Sequence, residues 1–123
     1  MPTVVHFEVP ASNPVRAKKF YGDLFGWKFN KMPGQMPYWD IRTRARKGEH
    51  ALGGGLMKRQ MKGQPVVNYV SVNDLDKYWK KASKLGAKSI VPKTSIPKMG
   101  HFMVFFDTEN NPVGLWQDDK KAM

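Results

Sequence analysis

A short stretch written twice sets the strongest limit on how this chain can fold. Thr-Val-Val-His-Phe-Glu-Val-Pro at residues 3–10 shares its Val-Val-polar-aromatic order with Pro-Val-Val-Asn-Tyr-Val-Ser-Val at residues 65–72, an offset of 62 that sets His6 opposite Asn68. Both copies are rich in β-branched residues, and each is followed by a cap signal and an amphipathic pattern that stops near a glycine. The chain therefore reads as two similar halves. A length of 123 residues accommodates them as half-size units of one domain, residues 1–123, sharing a core. Where such halves pair through their first strands, matching positions converge on one cleft, which makes His6, Asn68 and their neighbours the first candidates for function.

Ala-Ser-Asn-Pro at residues 11–14 supplies a cap and a proline for the first helical position. The helix it opens runs to Phe25, grouping Val15, Phe20, Tyr21, Leu24 and Phe25 on one side, and Gly26 ends it. Residues 27–30 and 38–43 alternate as strands about a turn at Pro33-Gly34, and Arg44 to Glu49 read as a polar, mostly basic loop. Residues 51–57 form a strand holding Gly53, Gly54 and Gly55, which implies a bulge or the close approach of a ligand or another backbone. They are not a phosphate loop, since no Lys-Ser/Thr pair and no helix follows; Lys58 to Pro65 is a linker at the midpoint.

The second half repeats the order. Strand 66–72 leads through Asn73-Asp74 to a helix over 75–85 that buries Leu75, Tyr78, Trp79, Ala82 and Leu85. A short strand at 88–92, a loop from Pro92 to Gly100, an apolar strand from His101, a tight turn at 107–112 and a strand at 113–117 follow, and the charged tail is expected to fray.

Composition narrows the function classes. The chain has no cysteine, which removes disulfides, thiolate nucleophiles and cysteine-based zinc sites. It lacks a hydrophobic leader and any apolar run near twenty residues, so a cytoplasmic protein with no membrane partner is expected. The formal charge of +11 favours anionic ligands. Its basic residues are spread evenly, eleven up to Arg59 and ten from Lys62 onward, without the stripe or tail of a specific nucleic-acid binder.

With His in the first strand, Phe-Tyr-x-x-Leu-Phe-Gly-Trp at 20–27 and Asp-x-x-Asn-x-x-Gly-Leu-Trp near the end, the chain resembles the glyoxalase/bleomycin-resistance/dioxygenase group, the vicinal oxygen chelate superfamily. The resemblance implies an α+β fold: two repeated βαβββ units, about 3–57 and 65–117, forming a curved mixed sheet around a cleft with the helices outside. In metal-using members, four inward positions on the first and last strands of the two units supply His and Glu. Carried onto this chain, those positions are His6, a residue of the glycine strand such as Gly54, Asn68 and Gly114, so only His6 matches. A metal site needs three or four suitable ligands, and no cofactor is therefore expected, a divalent metal being the disfavoured option.

Without charged ligands the cleft is lined by other groups. His6 and Asn68 supply polar atoms, Gly54 and Gly114 supply space, and Trp116 and either Tyr38 or Trp39 supply aromatic surface, with Phe102 or Met103 adding to it. The reading is a metal-free small-molecule binding protein, its ligand anionic, pairing as a homodimer. The alternative is a lactoylglutathione-lyase-like or dioxygenase-like enzyme with a reduced or relocated metal site, for which His6, Glu8 and His101 offer a two-histidine-one-carboxylate set.

Overall fold

The structure, a computed structural model, describes residues 2–34, 36–43, 47 and 51–123. The loop read from Arg44 to Glu49 lies outside the described residues except for Lys47. The chain divides into two compact units, residues 6–66 in one and residues 67–123 with 2–5 in the other.

In the first unit, β1 (Thr3–Ala11, which enters this unit at His6), α1 (Pro14–Phe25), β2 (Lys28–Lys31), β3 (Tyr38–Arg42) and β4 (Gly54–Lys58) follow one another. The strands lie in the order β2-β3-β4-β1, antiparallel except for the parallel β1/β4 pair. The second unit repeats this plan with β5 (Val67–Ser71), α2 (Leu75–Lys84), β6 (Lys88–Ile96), β7 (Gly100–Phe106) and β8 (Pro112–Asp118), ordered β5-β8-β7-β6 with β5/β8 parallel. The architecture is α+β, a βαβββ unit written twice.

Local chemistry explains the corners. Asn13 accepts a hydrogen bond from the Arg16 amide and Asp74 from that of Lys77, each at 3.1 Å, and these caps stand 61 residues apart. Pro14 takes the first turn of α1, where its missing N–H costs nothing, and Gly26 closes the helix at φ 74°. Against α1 pack Phe7, Val9, Ala11, Ile41, Leu56 and Trp39, with Ile41 and Leu56 wholly buried. Against α2 pack Val70, Val72, Met103, Phe105 and Leu115, with Leu75 wholly buried beneath them.

Several expectations are corrected. Leu85 is 68% exposed, because α2 ends at Lys84 and Leu85 already turns away. The apolar side of α1 is only partly covered, with Val15 71% and Phe20 59% exposed. β6 continues through Pro92 to Ile96 where a loop was expected. It is an edge strand whose register slips between Ser89 and Val91 and again between Val91 and Thr94, so the proline sits at an irregularity where its missing donor is tolerated. The tail is held: the Lys98 amide donates to Ala122 O at 2.8 Å and the Asp119 amide to Met99 O at 2.9 Å, and Ala122 is buried. Among the described residues, no helix is long and apolar enough to cross a membrane.

Candidate functional site

Strand alternation sorts the chemistry of the first unit. Phe7, Val9 and Ala11 face α1, which leaves His6, Glu8 and Pro10 on the helix-free face of the sheet. On β3, Trp39 and Ile41 face α1, leaving Tyr38 and Asp40 on the other side. Tyr38 starts two strands away from β1, with β4 between them. Its side chain crosses β4 above Gly55, where an added Cβ would overlap the phenol oxygen. Having crossed, Tyr38 Oη stands 2.8 Å from His6 Nε2 and 3.2 Å from Glu8 Oε2.

These distances fix the protons once Glu8 is ionised. A carboxylate only accepts, so the single phenol proton goes to Glu8 and the phenol oxygen accepts from His6 Nε2–H. His6 Nδ1 is then the acceptor nitrogen of the ring. Burial lowers the pKa of His6 below the ordinary 6.5, with the nearby Asp40 carboxylate pulling it the other way. At neutral pH the imidazole is uncharged.

A pH dependence of stability follows. Between the lowered folded value and 6.5 the unfolded chain binds a proton that the folded chain does not, so stability is complete above 6.5 and declines as pH falls below it. Urea midpoints measured from pH 5 to 8 fall toward acid in the wild type, and the decline is shallower in His6→Gln; equal slopes in the two proteins would remove this assignment.

In the second unit, Val67, Tyr69, Val104, Phe102 and Trp116 pack on the helix-free face. Gly114 pairs with Tyr69, and a Cβ on it would overlap the Tyr69 ring. Each unit thus sets a tyrosine over a glycine of its last strand: Tyr38 over Gly55, Tyr69 over Gly114.

The helix caps set the repeat offset at 61, which corrects the 62 read from the Val-Val pattern. In that frame Val67 corresponds to His6 and Tyr69 to Glu8. Asn68 pairs with Val113 and faces the α2 side with Val70, so it does not share the face that Gly114 and Trp116 occupy. Gly54 likewise faces α1, making room for the Phe7 ring rather than for the helix-free face. His6 and Tyr38 are brought together, and Glu8 and Gly55 join them. Phe102 takes the helix-free face, while Met103 is core.

His101, offered above with His6 and Glu8, is engaged by groups of its own unit. It lies on the α2 side of its sheet, with Nδ1 2.7 Å from Ser95 Oγ and Nε2 2.9 Å from Asp119 Oδ2, an arrangement that ties the tail to the β6/β7 hairpin. Its hydrogen bond holds the Asp119 carboxyl below its usual range.

The sequence matches the profile of the Glyoxalase/Bleomycin resistance protein/Dioxygenase superfamily over residues 3–115. It is 32% identical over 108 residues to a glyoxylase-like domain-containing protein of Didymella fabae, covering 85% of this chain and 84% of that one. It is 29% identical over 108 residues to a glyoxylase-named protein of Mycobacterium bovis, covering 85% of this chain and 41% of that longer one. Among solved structures, a methylmalonyl-CoA epimerase in complex with methylmalonyl-CoA superposes with a TM-score of 0.72 at 9% identity, covering 99% of this chain and 98% of that one.

Proposed function

Because the chain belongs to the Glyoxalase/Bleomycin resistance protein/Dioxygenase superfamily, we propose that it is a small-molecule binding protein on that scaffold, working without the divalent metal that the resemblance implies. One observation carries this reading: the Tyr38 hydroxyl is bonded to both His6 and Glu8. Coordination through His6 Nε2 needs the lone pair of that nitrogen, and the phenol assigns it a proton instead. On the helix-free faces of the other three strands the matching positions carry Gly55, Val67 and Gly114, which bring neither imidazole nor carboxylate. That donor set does not fit a metal.

It does suit an organic ligand. A neutral imidazole and a phenol locked in one orientation are the few placed polar groups that small-molecule sites use. The net charge of +11 favours an anionic molecule. The epimerase of the same fold holds methylmalonyl-CoA, an anionic organic ligand, which supports the class without naming this ligand. We place the protein in the cytoplasm as a homodimer, for which light scattering at twice the 14.1 kDa chain mass is the readout.

The second reading, a lyase-like or dioxygenase-like enzyme, draws on the same relay. There His6 would serve as a ligand of a reduced or relocated metal site or as a general base. Turnover that requires added metal and is lost in His6→Ala would favour it over simple binding.

Ligand-observed NMR with a library of small organic acids tests the binding reading. Genuine ligands lose about tenfold in affinity in His6→Ala, which removes the imidazole, and in Tyr38→Phe, which removes the hydroxyl that orients it, each the equivalent of about one hydrogen bond. A library whose hits bind all three proteins alike would refute it.

A further inference from the structure

A second region of the first unit carries chemistry that the His6 face does not use. β1 and β4 end side by side at Ala11 and Lys58. From there the chain turns through Ser12 and Asn13 into α1, and through Arg59 to Gly63 into the segment that leaves the unit. Two adjoining hollows of about 510 and 350 Å³ open at this corner and share Ser12 and Arg59 as walls. Both are shallow and open to solvent, so a ligand there would lie along the surface rather than be enclosed.

Their lining is charged in one sense. Lys58, Arg59 and Lys62 border the first hollow and Arg16 the second, and among the described residues neither is lined by an aspartate or glutamate. Arg59 is held in place by uncharged acceptors, its Nε donating to Ser12 Oγ at 3.2 Å, its Nη2 to Pro10 O at 3.3 Å and its Nη1 to Gln64 O. These bonds fix the guanidinium without neutralising it. Among the described residues, none of the four cations is ion-paired to a carboxylate. Phe20 and Tyr21 wall the far side of the second hollow, with Phe20 59% exposed.

We propose that this corner binds a small organic phosphate that carries a flat ring, of the kind represented by a nucleoside diphosphate. Four cations around adjoining hollows exceed what one carboxylate would balance, and the two N–H groups that Arg59 keeps after its three protein bonds can each donate to a phosphate oxygen. The aromatic wall gives a ring a surface to lie on. A nucleic-acid strand is the weaker fit, because the basic residues beyond this corner are spread evenly rather than along a track.

Isothermal titration with ADP, pyrophosphate and adenosine, at low and moderate salt, tests the assignment. ADP binds, pyrophosphate binds more weakly, adenosine gives no heat, and raising the salt weakens both phosphates. The double variant Lys58→Gln/Lys62→Gln loses about tenfold in ADP affinity through two charge contacts. A charge-matched double variant on α2, Lys80→Gln/Lys84→Gln, changes it less than about twofold. The proposal is overturned if ADP binds no better than adenosine, if both double variants weaken it equally, or if a single-stranded oligonucleotide binds through Lys58 and Lys62 while ADP does not.

Discussion

Replacing Gly55 with valine destabilises the protein by about 3 kcal/mol and separates Tyr38 from His6 and Glu8. Gly55 lies beneath the Tyr38 phenol with no room for a Cβ, so a branched side chain must push the ring off the sheet. Overpacking of this sort costs about 1–3 kcal/mol, and the displaced phenol forfeits two hydrogen bonds worth about 1 kcal/mol each. Urea unfolding reads the loss, and a double-mutant cycle assigns its origin. With the ring removed, valine at this position finds space, so Tyr38→Ala/Gly55→Val is less destabilised than the sum of its parts. Additivity in that cycle would mean that the glycine serves something other than the tyrosine.

Leu75→Ala costs about 3 kcal/mol, the second large effect. Leu75 opens α2 with no exposed surface, packed among Val72, Met103, Phe105 and Leu115, and its amide donates to Gln117 Oε1 at 2.7 Å. Truncation leaves a cavity in a rigid core, for which losses of about 2–5 kcal/mol are usual. Leu85→Ala ten residues on, at a position 68% exposed, stays within about 0.5 kcal/mol. Thermal or urea melts of the two variants separate them, and similar losses would mean that α2 is packed differently from this description.

The fold was legible because its signals are local. Asn13-Pro14 and Asp74 at the helix starts, and Gly26 after α1, each act on backbone atoms a few residues away, so composition and spacing reveal them. The doubled β-branched strands with their amphipathic helices then left few architectures. Register was harder. A Val-Val pair marks a strand but not which face each residue takes, and a shift of one residue reverses every side chain. Anchoring the repeat on the valines placed Asn68 with His6, whereas the caps place Val67 and Tyr69 at the matching positions.

The glycine strand shows the same limit. Sequence predicted a close approach at Gly53 to Gly55 but not its source, because Tyr38 lies on a different strand and its reach depends on the tertiary pairing of β3 with β4. The aromatic choice at 38 and 39 was likewise open until the sheet face was known. Pro92 and the tail were misread for a related reason. An edge strand tolerates a proline, and a charged terminus can dock, when neighbours distant in sequence supply partners, here β7 for β6 and Met99 for Asp119.

The most direct measurement is a long-range proton–nitrogen NMR spectrum of the His6 imidazole at neutral pH, assigned by comparison with His6→Gln and repeated with one equivalent of zinc. The expected spectrum has the proton on Nε2 and the lone pair on Nδ1, unchanged by the metal. A ring protonated on Nδ1 would reverse the His6–Tyr38 bond and restore the Nε2 lone pair that coordination needs, and a ring-nitrogen signal that moves to a coordinated position when zinc is added would return His6 to the metal; either result contradicts the account.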